Sequence, residues 1–167
     1  MSQSSLRNRQ PFLPVDRGEV AEMMGSRFGI PPRAFEAVSF FRRGRNIWAF
    51  SLADIPDLDY EALGLRFISV RGRVPKPTTY ALQLFGRFAT KNAVHLSDGE
   101  ARRFIAGERQ QLSAPVEDGY VVVSYRGDVL GCGLYSRGDL ISQLPKERRI
   151  EGKDMEGFSE VSEGCGR

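Results

Sequence analysis

The residues of this sequence best suited to chemistry are its arginines. Lys146, Arg148 and Arg149 stand together after Pro145, while Arg102 and Arg103 lie just before Gly107, with Arg109 next along the chain. Arg42, Arg43 and Arg45 crowd one candidate turn, and Arg71 and Arg73 crowd the end of a candidate strand. A guanidinium fork matches the oxygens of a phosphate and stacks on flat bases, so such clusters fit a nucleic-acid surface. Each cluster has a plainer reading beside it: charge on a solvated helix, a soluble turn, or an edge strand guarded against pairing. Gly107 would let a partner's backbone approach closely, and it is equally an ordinary helix C-cap. Phe40, Phe41, Trp48 and Phe50 could stack on bases as in single-strand binders, but their strand setting favours core packing.

Side chains for acid–base, nucleophilic or metal chemistry are sparse. His95 is the only histidine, and Cys132 and Cys165 are the only cysteines, in no Cys-x-x-Cys pair. A structural zinc site needs about four ligands, which these cannot assemble. Cys132 reads as a small core residue and Cys165 as a solvated one. Asp128, Asp139, Ser124 and Ser136 lack a second histidine to build a base and its orienter. Asp57 and Asp59 fall in a candidate loop with no partner. The expectation is a protein that is not an enzyme and needs neither metal nor cofactor.

The charge balance sharpens this. The 167 residues carry a net charge of +3. Residues 151–167 hold two basic residues against five acidic ones, so 1–150 carries 22 against 16. Only Lys76, Lys91, Lys146 and Lys153 among the 24 cations are lysines. That bias suits nucleic acid, although an arginine-favouring codon usage would produce it too. With 41% hydrophobic and 27% charged residues the chain can bury a core and stay soluble. No stretch approaches the roughly 18 apolar residues that span a bilayer, and Met1–Gln10 has no apolar signal core. A cytoplasmic protein without membrane contact is expected.

The elements that must position these residues are legible in outline. Residues 1–14, polar and then proline-bearing, read as disordered. Asp16 caps a helix to about Phe28, with Val20, Met23, Met24 and Phe28 at helical spacing and Gly29 as the stop. A short turn falls at Arg33–Glu36. Ala37–Arg43 and Asn46–Leu52 flank Gly44-Arg45 as a hairpin. The second strand is apolar on both faces and so central to its sheet. A short helix is expected around Tyr60–Leu63, a strand over Leu65–Arg71, and a helix from Thr79, capped by Thr78, to about Phe88. A boundary near residue 90 follows. Then come a strand at Ala93–Leu96, a capping box from Ser97 to Glu100, and a helix over Asp98–Ala106 closed by Gly107. A hairpin joins Gly119–Tyr125 to Val129–Tyr135 through Arg126-Gly127-Asp128. Lys146, Arg148 and Arg149 sit on a closing strand, and the acidic, Gly-rich residues 151–167 form a flexible tail.

Three segments of the C-terminal part resemble a known family. "NAVHLSDGEARRFIAGE" is similar to the opening strand, helix and helix-ending glycine of a PUA domain, a small pseudo-β-barrel that binds structured RNA. "GYVVVSYRGDVLGCGLY" resembles that domain's central hairpin. "LPKERRI" resembles the closing motif of the PUA-like domain at the C-terminus of Nop/Sun-type RNA cytosine-5 methyltransferases. More weakly, "GRVPKPTTYALQLFGRFATKNAVHL" resembles the junction of the pre-PUA plus PUA ribosome-assembly factors. The resemblance implies an α+β protein: a mixed α/β pre-PUA-like domain at 15–90, then a PUA-like barrel at 91–150. It implies an RNA face on the 98–107 helix, the loop after it and the Lys146–Arg149 segment, brought to the same side. Arg43, Arg45, Arg71 and Arg73 would extend that face. Structured rRNA or tRNA is the expected partner, with an RNA methyltransferase or pre-ribosomal protein as a further one. The alternative role is an adaptor that docks such a protein through the barrel. The chain departs from the methyltransferases in one respect: neither cysteine follows a proline, and no Gly-x-Gly-x-x-Gly loop occurs.

Overall fold

The computed structural model describes residues 10–50 and 64–149. They form an α+β fold with two five-stranded sheets. The first sheet holds β1 (Leu13–Val15), β2 (Ser39–Arg43), β3 (Asn46–Phe50), β4 (Leu65–Ser69) and β5 (Lys76–Pro77) in chain order, all antiparallel. The second holds β6 (Ala93–His95), β7 (Gln110–Gln111), β8 (Gly119–Tyr125), β9 (Asp128–Ser136) and β10 (Asp139–Ser142). Its order is β6-β8-β9-β10-β7, with β6 parallel to β8 and the other neighbours antiparallel. Helices α1 (Arg17–Phe28), α2 (Thr79–Phe85) and α3 (Asp98–Ala106) complete the described elements together with short 3₁₀ turns.

Local chemistry explains where the helices begin and end. The Asp16 carboxylate accepts a hydrogen bond from the Gly18 amide at 2.6 Å, and Gly29 takes a left-handed φ of 65° at the other end of α1. Such a terminus suits glycine because it has no Cβ to clash. Thr78 caps α2 by accepting from the Ala81 amide at 3.2 Å. At Ser97 both halves of the capping box are present, and the Glu100 carboxylate accepts from the Ser97 amide at 2.8 Å.

The packing is continuous across the two sheets. Val20, Met24 and Phe28 of α1 are buried with Phe35, Phe40, Ile47, Phe67 and Leu82 in one core. Its rings lie close: 5.2 Å between the Phe40 and Phe67 centroids and 4.9 Å between Phe35 and Phe85. Val122 of β8 and Cys132 of β9 belong to this same core. Val121 and Val123 point to the opposite face, into a second core with Phe104 of α3, Leu96 and Leu140. The central hairpin is thus buried on both faces, which is why its sequence runs Val-Val-Val rather than alternating. Gly86 lets α2 seat on the hairpin, since a Cβ there would stand 3.0 Å from Val122 Cγ1 and 3.3 Å from Val129.

A polar clasp fastens α1 to the second sheet. Arg27 Nε donates to the Tyr120 carbonyl at 2.7 Å and Arg27 Nη2 to the Glu117 carbonyl at 2.9 Å. Asn92, buried and at a positive φ of 52°, donates to the Arg27 carbonyl at 2.7 Å and accepts from the Glu117 amide at 2.9 Å.

Several sequence expectations need correction. Residues 1–14 are not irregular throughout: Leu13 and Pro14 belong to β1, with Leu13 opposite Arg42 and Pro14 opposite Phe41. Proline fits because β1 is an edge strand. The closing strand expected at Lys146–Arg149 is a 3₁₀ turn over Lys146–Arg148, in which the Arg149 amide donates to the Lys146 carbonyl at 3.2 Å. The last strand is β10, joined to β9 by Arg137-Gly138 at φ values of 51° and 85°, the signature of a two-residue type I′ turn. Arg126-Gly127, at 49° and 86°, is the same device between β8 and β9. β5, β7 and β10 had no strand assigned to them, and β2 and β4 are shorter than expected; β3 is formed up to Phe50, where the described residues break off. The helix expected at Tyr60–Leu63, residues 1–9 and the tail 151–167 lie outside the described residues.

Candidate nucleic-acid interface

Helix α3 presents its polar face outward because Ala101 and Phe104 are buried beneath it. Arg102 is exposed, and Arg103 donates through Nε to the Gln110 side chain at 3.1 Å. Gln110 in turn donates to the Glu100 carbonyl at 2.9 Å, so Arg103 is held at the end of a short polar chain. Gly107 ends the helix at a φ of 82°. A Cβ there would lie 2.6 Å from Arg149 Cδ, so Arg149 rests directly on this glycine. Arg149 Nε donates to the Leu144 carbonyl at 3.2 Å. Arg103 lies one turn before Gly107, on which Arg149 rests, and the exposed Arg102 precedes it on the same helix, so the end of α3 is a cationic ridge.

The other members of the expected face go elsewhere. Arg148 turns away from α3 and lies over the Tyr80 ring of α2, 4.3 Å from its centroid. Its Nη1 also contacts Gln83 Oε1 at 3.5 Å. The Lys146–Arg149 segment thus divides, with only Arg149 reaching the helix end. Lys146 is exposed on the 3₁₀ turn. Arg109, exposed just beyond α3, is paired through Nε to Asp139 at 2.9 Å. That pairing leaves Arg109 less free for an anion than Arg102.

The arginines of the first sheet form a separate group. Arg43 lies 5.0 Å from the Phe12 ring centroid, and Arg45 is exposed in the β2–β3 turn. Arg71 and Arg73 are exposed between β4 and β5. Arg71 lines a groove with Trp48, Arg66, Lys76 and Tyr80, reaching to Gln143 and Pro145 of the second sheet's far end. Sequence reasoning missed Arg66, Lys76 and Tyr80. Their only sequence signal is that Arg66 alternates with the buried Phe67, and only the packing of β5 and α2 brings the three together.

Catalytic and metal chemistry finds no cluster. No group of three or more His, Cys, Asp or Glu suited to a metal ion occurs among the described residues. Cys132 is buried, and burial pushes its thiol up to about 12, so it stays protonated and inert. His95 Nδ1 lies 2.6 Å from Ser124 Oγ, with no acidic group in that contact. Asp98, hydrogen-bonded by the Tyr125 hydroxyl at 2.6 Å, is held below the usual carboxylate range by that bond. Among the described residues no helix is long and apolar enough to cross a membrane.

The segment that carries the second sheet and α3 matches a known family. The family described as the methyltransferase RsmF PUA domain matches residues 91–150. Residues 91–150 form a PUA-like domain. It resembles the C-terminal domain of the Sun-type methyltransferases. A ribosomal RNA small subunit methyltransferase F from Aeromonas hydrophila is 27% identical over 143 residues, which cover 82% of this chain and 29% of that protein. The chain therefore spans under a third of that relative's length. The similarity is too long to be confined to the PUA-like domain, so it reaches into the first sheet.

Proposed function

We propose that this chain is a non-catalytic RNA-binding protein that recognises structured rRNA or tRNA and assists RNA modification or ribosome assembly. The observation that carries this reading is the cationic ridge on the PUA-like domain, where Arg149 packs on Gly107 at the end of the helix that carries Arg102 and Arg103. Arg103 and Arg149, held by the Gln110 side chain and the Leu144 carbonyl, meet phosphates with little reorganisation, and each contact releases condensed counterions. The relative named for small-subunit rRNA methylation directs the proposal toward that RNA. The absence of a Pro-Cys pair and of glycine-rich cofactor loops from these 167 residues supports a non-catalytic role. The first sheet serves in this reading as a pre-PUA-like platform.

The reading is tested by titrating the protein against a folded small-subunit rRNA fragment at several salt concentrations. Affinity should fall steeply with salt, and replacing Arg102 and Arg103 together by alanine should make the log–log slope shallower by roughly two units. A slope that does not change removes the ridge from the interface. A second reading is an adaptor that docks an RNA methyltransferase through the PUA-like barrel, the domain that it shares with such enzymes. Association with such an enzyme that persists at salt concentrations abolishing RNA binding would favour it.

A further inference from the structure

The groove at the junction of the two sheets has a composition unlike the rest of the surface. Its volume is about 540 Å³, within the range of sites that enclose a small ligand. One wall is the face of the first sheet turned away from α1. There Phe41, Trp48 and Arg66 stand opposite one another across β2, β3 and β4. The other wall is the start of α2, with Tyr80 37% exposed. Gln143 and Pro145 of the PUA-like domain close one end. The charged residues that line it, Arg66, Arg71 and Lys76, are all cationic; none of the described lining residues is acidic. The groove along α1 is lined by Glu19 and Glu22 against a single cation, Arg27, beside methionines and prolines, a composition less suited to a polyanion.

Three details indicate what the groove holds. Trp48 Nε1, on a lining residue, is buried with no hydrogen-bond partner among the described residues. Buried donors are ordinarily satisfied, and a ligand bearing oxygens would supply what this one lacks. Lys76 is fixed, its Nζ donating to Gln143 Oε1 at 2.7 Å, so one cation is already positioned. Tyr80 carries Arg148 over its ring at 4.3 Å, while the Arg148 bond to Gln83 is at the 3.5 Å limit. A flat base can enter beside Tyr80 at little cost and release that guanidinium toward a phosphate.

We infer that this groove takes an unpaired nucleotide of an RNA strand, with the base stacked at Tyr80 and the backbone phosphates met by Arg66 and Arg71. The inference rests on the RNA-binding reading and assigns it a second contact, separate from the α3 ridge. A duplex bound on the ridge would lead its single-stranded continuation into the groove. Stacking on an aromatic ring is indifferent to base identity, so the site selects single strand over duplex more than one base over another.

The test uses the full chain and three labelled RNAs: a blunt hairpin, the same hairpin with a 3′ extension of about six uridines, and the oligouridine alone. Anisotropy titrations should show the extension strengthening binding about tenfold. Tyr80→Ala and, separately, Arg71→Glu should remove that gain while leaving blunt-hairpin affinity within about twofold. Both positions are exposed, and a melting curve for each variant confirms folding. An extension without effect, or a gain that survives both variants, overturns the groove assignment while hairpin binding keeps the ridge reading. Oligouridine binding that depends on Tyr80 without hairpin binding supports the groove and overturns the ridge. Failure to bind any of the three overturns both. An oligoglutamate of matching charge that binds with the same Tyr80 dependence, where RNA does not, would assign the groove to an acidic protein segment instead.

Discussion

The two sheets of this protein solve the same problem with different materials. The first buries one face, under α1 and α2, with a core rich in phenylalanine: Phe28, Phe35, Phe40 and Phe67. Its other face keeps Trp48 half-buried and Arg66 exposed, and a groove lies along it. The second sheet buries both faces of its central hairpin, with β-branched residues toward α3 and Val122 and Cys132 toward the first sheet. Large rings fill a wide gap between helix and sheet, whereas valine packs a strand flanked closely on both sides. The sheet with one open face keeps a groove along it. The sheet buried on both faces carries exposed Arg102, Arg103 and Lys146 on a helix and a 3₁₀ turn at its margin.

The largest effects should come from the two cores. Phe67 and Phe104 are each 0% exposed, and truncating either to alanine should cost about 3–5 kcal/mol. Because Val122 and Cys132 join the first sheet's core, either change should lower one shared unfolding transition in calorimetry. Two separate transitions would mean that the sheets unfold independently and that the shared core couples them weakly.

The clasp between the sheets is the next target. Asn92→Ala removes hydrogen bonds to the Arg27 carbonyl and the Glu117 amide and places alanine at a positive φ. Chemical denaturation should report a loss of about 1–3 kcal/mol. Little or no loss would show that the packing of α1 alone holds the sheets together.

Binding should separate from stability at the ridge. Replacing the exposed Arg102 by alanine should weaken binding to folded rRNA by about 1–3 kcal/mol, while the melting temperature stays nearly constant because exposed positions contribute under about half a kcal/mol. Arg149 should behave differently, since it packs on Gly107 and bonds the Leu144 carbonyl. Its removal should lower both quantities.

A further effect is pH-dependent. Burial raises the folded-state pKa of Cys132 from 9.0 to about 12, so the unfolded chain loses that proton first as pH rises. The stabilisation is complete below about pH 9 and is lost between about pH 9 and 12. A Cys132→Ala variant, less stable at neutral pH from the lost packing, should show a weaker decline over that interval. Parallel profiles would show that the decline has another source, the raised Tyr120 hydroxyl among them.

Much of the fold was readable because local chemistry marks it. Asp16, Thr78 and Ser97 announce helix starts through oxygens that cap free amides, and Gly29 and Gly107 announce ends through left-handed backbone. Short edge strands were not readable. β1, β5 and β7 span two or three residues each, too few for a period to emerge, and they exist only because a longer neighbour offers bonding groups. The proposed RNA face was legible as charge but not as geometry. Arg148 and Arg149 are adjacent in sequence, yet one rests on Tyr80 and the other on Gly107, because Arg148 ends the 3₁₀ turn while Arg149, just past it, has extended backbone. The amino-acid sequence by itself determined the caps, the doubly buried hairpin and the arginine content, since each depends on residues close together along the chain. Only the tertiary structure decided which arginines share a surface and that Trp48, Arg66, Lys76 and Tyr80 enclose a groove, because those neighbours are set by how two sheets and α2 pack.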